Sequence, residues 1–213
     1  MHFYGFFRSS AAYRCRIAFN LKGIAPDFSS VVLRKGEQRA PDFLKLNPQG
    51  LVPALDTGTR VLTQSLAIIE WLEETHPTPP LLPAGADDRA WVRALALSVA
   101  CDVHPLQNLR VLAYLKSEFG LDQAGLDRWC RHWIEGGLAA YDTALAQSGT
   151  SGAFSFGDTP TLADICLVPQ VFSAERFAAD ISGLAHIARV KASCDRHPAF
   201  AAAHPSRQPD SAG

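Results

Sequence analysis

The first 80 residues are expected to form an α/β layer, and residues 88–213 an all-helical bundle. Three observations carry this. Short strand and helix signals alternate up to about residue 75. Four prolines then fall within Thr75-His76-Pro77-Thr78-Pro79-Pro80-Leu81-Leu82-Pro83, a run that neither continues a helix nor joins a central strand. Beyond it the apolar residues recur almost only at helical spacing.

The elements follow in order. His2 to Phe6 is an aromatic-rich strand. Ser9 or Ser10 caps a helix over Ala11 to Lys22, and Gly23 stops it. Phe28 to Leu33 reads as a second strand and Pro41 to Leu46 as a short helix, with a turn at Asn47-Pro48-Gln49-Gly50. Leu51 to Asp56 and Arg60 to Leu62 read as a hairpin through Asp56-Thr57-Gly58-Thr59. Ser65 is expected to cap a helix beginning at Leu66. The first part suits a βαβ unit and the last a hairpin with a closing helix. In the second half, Arg89 to Phe119 is a helical stretch interrupted by Pro105, and Leu126 to Gln147 is another. Thr161-Leu162-Ala163-Asp164 opens a third, with Asp at N3 of a capping box. Ile187 to Cys194 is a last helix, and His204 to Gly213 is expected to be a loose tail.

Composition removes several function classes. Of 213 residues, 47% are apolar and 19% charged, enough for a core and unlike a disordered chain. The formal charge of -1 leaves no surplus cation for a nucleic-acid backbone or an anionic membrane. No stretch of about 18 uncharged apolar residues offers a membrane span, and no signal-peptide pattern opens the chain. Five dispersed cysteines without a C-x-x-C pair suggest reduced, mostly buried thiols in a cytoplasmic protein, with no metal site. Fifteen of the 20 basic residues are Arg, a side chain whose planar fork suits carboxylates.

Three places can carry chemistry. Ser9-Ser10 stands where a strand meets a helix N-terminus, where unpaired N–H groups and a hydroxyl stabilise an anion such as a thiolate. Pro53 lies in a short strand, where it cannot donate to the ladder. A cis Val52-Pro53 bond turns the Val52 N–H and C=O outward, towards an extended peptide ligand. Gln64-Ser65 opens another helix, whose amides and hydroxyl suit a carboxylate. Taken singly, each also reads as an ordinary cap or edge residue.

Their order, and the segments around them, resemble the zeta class of the glutathione transferase superfamily. Ser9-Ser10-Ala11-Ala12-Tyr13-Arg14-Cys15-Arg16-Ile17-Ala18 is similar to the class signature S-S-C-x-[WYH]-R-V-R-I-A. Asn47 to Leu55 matches N-P-x-x-x-V-P-x-L, and Gln64 to Ile69 matches [EQ]-S-x-A-I-I. His104-Pro105-Leu106-Gln107-Asn108 resembles H-P-x-x-N. Gly157 to Asp164 resembles G-D-x-x-[TS]-x-A-D, and Gln208-Pro209-Asp210 the closing residues of the class. The similarity spans essentially the whole chain and is greatest to the maleylpyruvate and maleylacetoacetate isomerases.

The resemblance implies a thioredoxin-like first domain, a helical second domain, a homodimer and glutathione as cofactor. It implies that Ser9, with Ser10 beside it, hydrogen-bonds the glutathione thiolate. Val52 and Pro53 meet the cysteinyl backbone, and Gln64 and Ser65 hold the γ-glutamyl carboxylate. Gln38 and Gln49 touch it from adjacent loops. Asp102, His104 and Asn108 approach from the helical domain or a partner subunit, and spacing puts His104 and Asn108 on one helix face. Arg8, Arg110 and Arg176 clamp a dicarboxylate substrate, although an ideal helix turns Arg110 about 200° from Asn108. The implied reaction is cis–trans isomerisation of a maleyl compound: a thiolate adds beside a carbonyl, the resulting single bond rotates, and the thiolate leaves. Ala11 departs from the class cysteine; the attacking sulfur comes from glutathione, so Ala11 tunes the site. General conjugation of electrophiles or reduction of peroxides is the alternative enzyme class, and a catalytically silent binding scaffold the non-enzymatic one.

Overall fold

The computed structural model describes residues 1–211, which form two compact units. The first holds residues up to Leu81 together with the chain from Arg196 onward; the second spans Leu82–Asp195. The last stretch of the expected helical domain of residues 88–213 thus groups with the first unit.

In the first unit, β1 (His2–Gly5) runs parallel to β2 (Asp27–Ser30), joined through the crossover helix α1 (Ser10–Lys22). β1 also pairs antiparallel with β3 (Ala54–Asp56), which turns into β4 (Val61–Thr63). The sheet order is β2-β1-β3-β4. Short α2 (Pro41–Leu46) precedes β3, and α3 (Ser65–Thr75) closes the hairpin. α1 packs on α3, and both bury apolar faces that include Ile17, Ile68 and Leu72. Gly23 stops α1 at φ 67, a left-handed geometry that glycine adopts without steric cost. Lys22, in the last turn of α1, pairs with Glu73 of α3 at 2.6 Å and donates to the Pro79 carbonyl at 2.6 Å, with its side chain wholly buried.

The returning chain end supplies α9 (Pro198–Ala203), a helix the sequence reading lacked, which packs on α1. The expected loose tail is instead tied down. Asp210 Oδ2 accepts from the Phe7 amide at 2.9 Å and from Ser30 Oγ at 2.7 Å.

The second unit is built around α7 (Leu162–Arg176), whose residues Leu162 to Val171 are all buried. α4 (Ala86–Leu97) and α6 (Gln123–Ser148) pack against it, with α5 (Leu109–Phe119) and α8 (Ala185–Arg196) completing the unit. The long helix expected over Arg89 to Phe119 is broken in the middle: a π-helical turn at Ser98–Val103 leads into a 3₁₀ turn at His104–Gln107. A β-carbon on Gly137 of α6 would collide with the Val103 side chain, so the glycine is what lets α6 approach this turn. The expected capping box forms: Asp164 Oδ2 accepts from Thr161 N at 2.8 Å and Thr161 Oγ1 at 2.9 Å. The other oxygen, Oδ1, accepts from Ser155 N at 2.7 Å. No described helix is long and apolar enough to cross a membrane.

Candidate active site

The first unit places a group of polar residues at three chain reversals. Ser9 is the N-cap of α1, not its first residue, and its Oγ accepts from the Ala12 amide at 3.2 Å. That bond engages one lone pair and leaves the hydroxyl hydrogen available to an external acceptor. Ser10 is the first residue of α1 and is buried. Exposed Arg8 directly precedes the cap. The reversal itself is held from behind. Arg16 Nη2 donates to the Phe7 carbonyl at 2.9 Å, and its Nε to the Ala203 carbonyl at 3.1 Å. Burial pulls the Arg16 pKa down to about 10, against smaller opposing contributions from Tyr13, Asp210 and Cys15. It remains a cation at neutral pH.

The second reversal precedes β3. Val52-Pro53 is cis, and the strand expected to start at Leu51 starts only at Ala54. The Val52 N–H and C=O thus stand outside the ladder, as an edge for an extended peptide requires. Asn47 builds this loop from within, donating to the Leu51 carbonyl at 2.7 Å and accepting from the Gln49 amide at 3.1 Å. Gly50 sits at φ 61 against the Gln38 carbonyl, where a β-carbon would be only 3.1 Å from that oxygen. The Gln38 side-chain Oε1 is buried without a hydrogen-bond partner.

The third reversal opens α3. Gln64, not Ser65, holds the cap position, at φ 70 and ψ 119, a conformation rare for a residue with a side chain. Its Nε2 donates to Gln49 Oε1 at 3.0 Å, which joins two of the expected site residues directly. Ser65 is the first residue of α3 and is buried. Arg14 Nη1 donates to Ser65 Oγ at 3.3 Å from within the unit. Arg14 and Asp210 lie inside the motifs, but residue type alone assigns neither a role; burial and partners do.

The second unit carries the other expected residues. Asp102 lies exposed in the π-helical turn and His104 opens the 3₁₀ turn. Asn108 is the N-cap of α5, its Oδ1 accepting from the Arg110 amide at 3.2 Å. His104 and Asn108 therefore do not share the face of one α-helix, and the 200° argument against Arg110 loses its basis, because the helix restarts between them. Arg110 is exposed in the first turn of α5. Arg176 ends α7 with its guanidinium 4.4 Å from the centre of the Phe177 ring.

Residues 8–75 match the family description "Glutathione S-transferase, N-terminal domain", and residues 123–203 match "Glutathione S-transferase, C-terminal domain". The chain is 54% identical to a maleylpyruvate isomerase of a Ralstonia species over the full length of both. The chain belongs to the glutathione S-transferase family. Within it, the zeta class is where the likeness falls. A holo structure of maleylpyruvate isomerase, described as a bacterial zeta-class glutathione S-transferase, superposes with TM-score 0.97 at 54% identity. That match covers 99% of this chain and 100% of the other. A maleylacetoacetate isomerase from Methylobacterium extorquens AM1, solved with malonate and glutathione bound, gives TM-score 0.95 at 42% identity over 98% of each chain.

The first unit of this transferase fits glutathione on its own geometry. It offers a hydroxyl at one helix terminus, an unladdered backbone edge beside Pro53, and an orphaned acceptor at Gln38. No group of three or more His, Cys, Asp or Glu suited to a metal ion occurs among its described residues. Four of the five cysteines are buried, and burial pushes the Cys130 thiol up to about 11 and Cys194 higher still. Neither is a thiolate at neutral pH.

Proposed function

We propose that this transferase is a glutathione-dependent cis–trans isomerase that converts a maleyl dicarboxylate, maleylpyruvate or maleylacetoacetate, to its fumaryl form. The observation that carries the reading is Ser9: a hydroxyl with a free hydrogen at the N-terminus of a 13-residue helix, on a chain 54% identical to a maleylpyruvate isomerase.

Bound glutathione supplies the sulfur nucleophile. The chain's own residues do the rest. Ser9 Oγ donates to the sulfur and, with the dipole of α1, favours its ionised form; helix N-termini lower thiol pKa values from about 8.5 into the range of roughly 3.5–7.5. Val52 offers its N–H and C=O to the cysteinyl backbone beside Pro53. Gln64, Ser65 and the first amides of α3 take the γ-glutamyl carboxylate. Gln49 steadies Gln64, and Gln38 accepts a hydrogen bond through its orphaned Oε1. Asp102, His104 and Asn108 reach the tripeptide from the helical unit or from a partner subunit. Arg8, Arg110 and Arg176 bind the two substrate carboxylates and stabilise negative charge that develops as the double bond is attacked. Arginine suits that task because its fork meets a carboxylate at two points. Ala11 leaves the first turn of α1 without a competing thiol. The protein acts as a homodimer in the cytoplasm, where its free cysteines stay reduced.

The test compares maleylpyruvate, maleylacetoacetate and a chlorodinitrobenzene-type electrophile at equal glutathione. The reading expects turnover of a maleyl substrate to exceed that of the electrophile, and Ser9→Ala to lower it sharply at neutral pH. A strong preference for the electrophile would assign general conjugation instead. Binding of glutathione without any turnover would assign a scaffold. Gel filtration at the mass of two chains supports the dimer, and elution at 23.1 kDa rejects it.

A further inference from the structure

Arg14 is a buried cation without a buried anion. It is 2% exposed. Its Nη1 reaches Ser65 Oγ, while its Nε and Nη2 are buried and have no hydrogen-bond partner among the described residues. No ion pair to it occurs among them either. The contrast with Lys22 is direct: that buried cation has Glu73 at 2.6 Å. Arg14 also stands beside the N-terminus of α3, an 11-residue helix whose end carries partial positive charge of its own. Two like charges kept together out of water are costly unless an anion joins them.

We propose that Arg14 is a positioning residue for the carboxylate held at the start of α3. The proposal rests on the glutathione reading and deepens it. A serine hydroxyl has one hydrogen and two lone pairs. Arg14 occupies a lone pair of Ser65 from the protein side, which directs the single hydrogen outward and polarises it. The outward hydrogen meets the γ-glutamyl carboxylate, and the guanidinium behind it supplies the charge that the carboxylate neutralises across the hydroxyl. Arg14 itself does not touch the ligand.

Titration calorimetry with two ligands tests this: glutathione, and 4-aminobutyryl-cysteinylglycine, which lacks only the α-carboxylate of the γ-glutamyl group. The wild type is expected to prefer glutathione by about tenfold or more, the scale of one charge-assisted hydrogen bond. In Arg14→Met that preference falls to about twofold, Arg14→Lys retains part of it, and the affinity for the decarboxylated ligand changes little in either. Ser65→Ala loses the preference as well, because the effect runs through the hydroxyl. Without ligand, Arg14→Met melts at or above the wild-type temperature, since an unpaired buried charge is gone, while the stabilisation by glutathione shrinks. Equal weakening of both ligands in Arg14→Met, or an undiminished preference in Ser65→Ala, would overturn the proposal and leave the glutathione reading intact. Absence of glutathione uptake by the wild type would remove that reading itself.

Discussion

At Ser9 a single hydroxyl has two duties. It accepts from the Ala12 amide to cap α1, and in the proposed reading its hydrogen serves the sulfur. Ser9→Ala therefore has two separable effects: about 1 kcal/mol of stability from the lost cap, and a fall in kcat/KM of about 100-fold or more from a thiol that no longer ionises at neutral pH. The second effect is recovered as the assay pH is raised towards the ordinary thiol range, and a pH–rate profile checks it. In the same proposal the arginines act on the other reactant. Arg8→Ala and Arg176→Ala should each raise KM for the maleyl substrate about tenfold and leave KM for a neutral electrophile unchanged. Unchanged kinetics for both substrates would remove the clamp. The thiols give a third residue-scale check: only Cys101 is exposed. Brief treatment with iodoacetamide at pH 7.5 should add one adduct per chain, located on Cys101 by mass spectrometry.

The elements show what a pattern of residue types conveys and what it leaves out. The parallel pair joined by α1 and the β3–β4 hairpin were legible because Gly23, Gly58 and the alternating apolar runs are local signals. The capping box was legible for the same reason, since Thr161 and Asp164 are three residues apart. The boundaries that shifted depend on side-chain bonds and backbone angles that residue types do not signal. Val52 leaves the ladder because Asn47 ties up Leu51. Ser65 becomes a helical residue because Gln64 takes the unusual φ of 70. The break at residues 98–107 has no marker except Pro105 and, on the neighbouring helix, Gly137. Gly137→Leu should cost about 1–3 kcal/mol by overpacking against Val103, read by urea denaturation. Asp164 yields a prediction with a sign. Burial is the largest influence on it and raises its pKa, opposed by the hydrogen bonds from Ser155 and Thr161. The folded state then holds this proton more tightly than the unfolded chain does. Wild-type stability measured relative to Asp164→Asn must fall as pH rises through the ordinary carboxylate range up to the raised value, and level off above it. A relative stability that instead climbs with pH would show that the hydrogen bonds outweigh burial.

For the whole molecule, a motif-rich sequence revealed the two-part plan and the family, while the destination of the chain end escaped it. Composition made His204 to Gly213 read as a tail, because Pro and Ser say nothing of a partner some 200 residues away. The structure returns that segment to the first unit and sets Asp210 on the Phe7 amide, two residues before Ser9. Asp210→Ala should speed hydrogen exchange at the Phe7 amide by about tenfold or more, with the exchange of core amides in α1 unchanged. The candidate site was likewise half legible. The hydroxyls and amides proposed to meet a ligand lie in motifs, but Arg14 and Arg16 lie beneath them, and only their burial and partners distinguish them from surface arginines. The account as a whole depends on glutathione acting as a recycled nucleophile. A progress curve with a large excess of maleyl substrate over glutathione tests that most directly, followed by quantification of both fumaryl product and free glutathione. The account predicts no turnover without glutathione, many product molecules per glutathione present, and full recovery of the free tripeptide. Turnover without it, or its consumption one for one as a conjugate, would contradict the account.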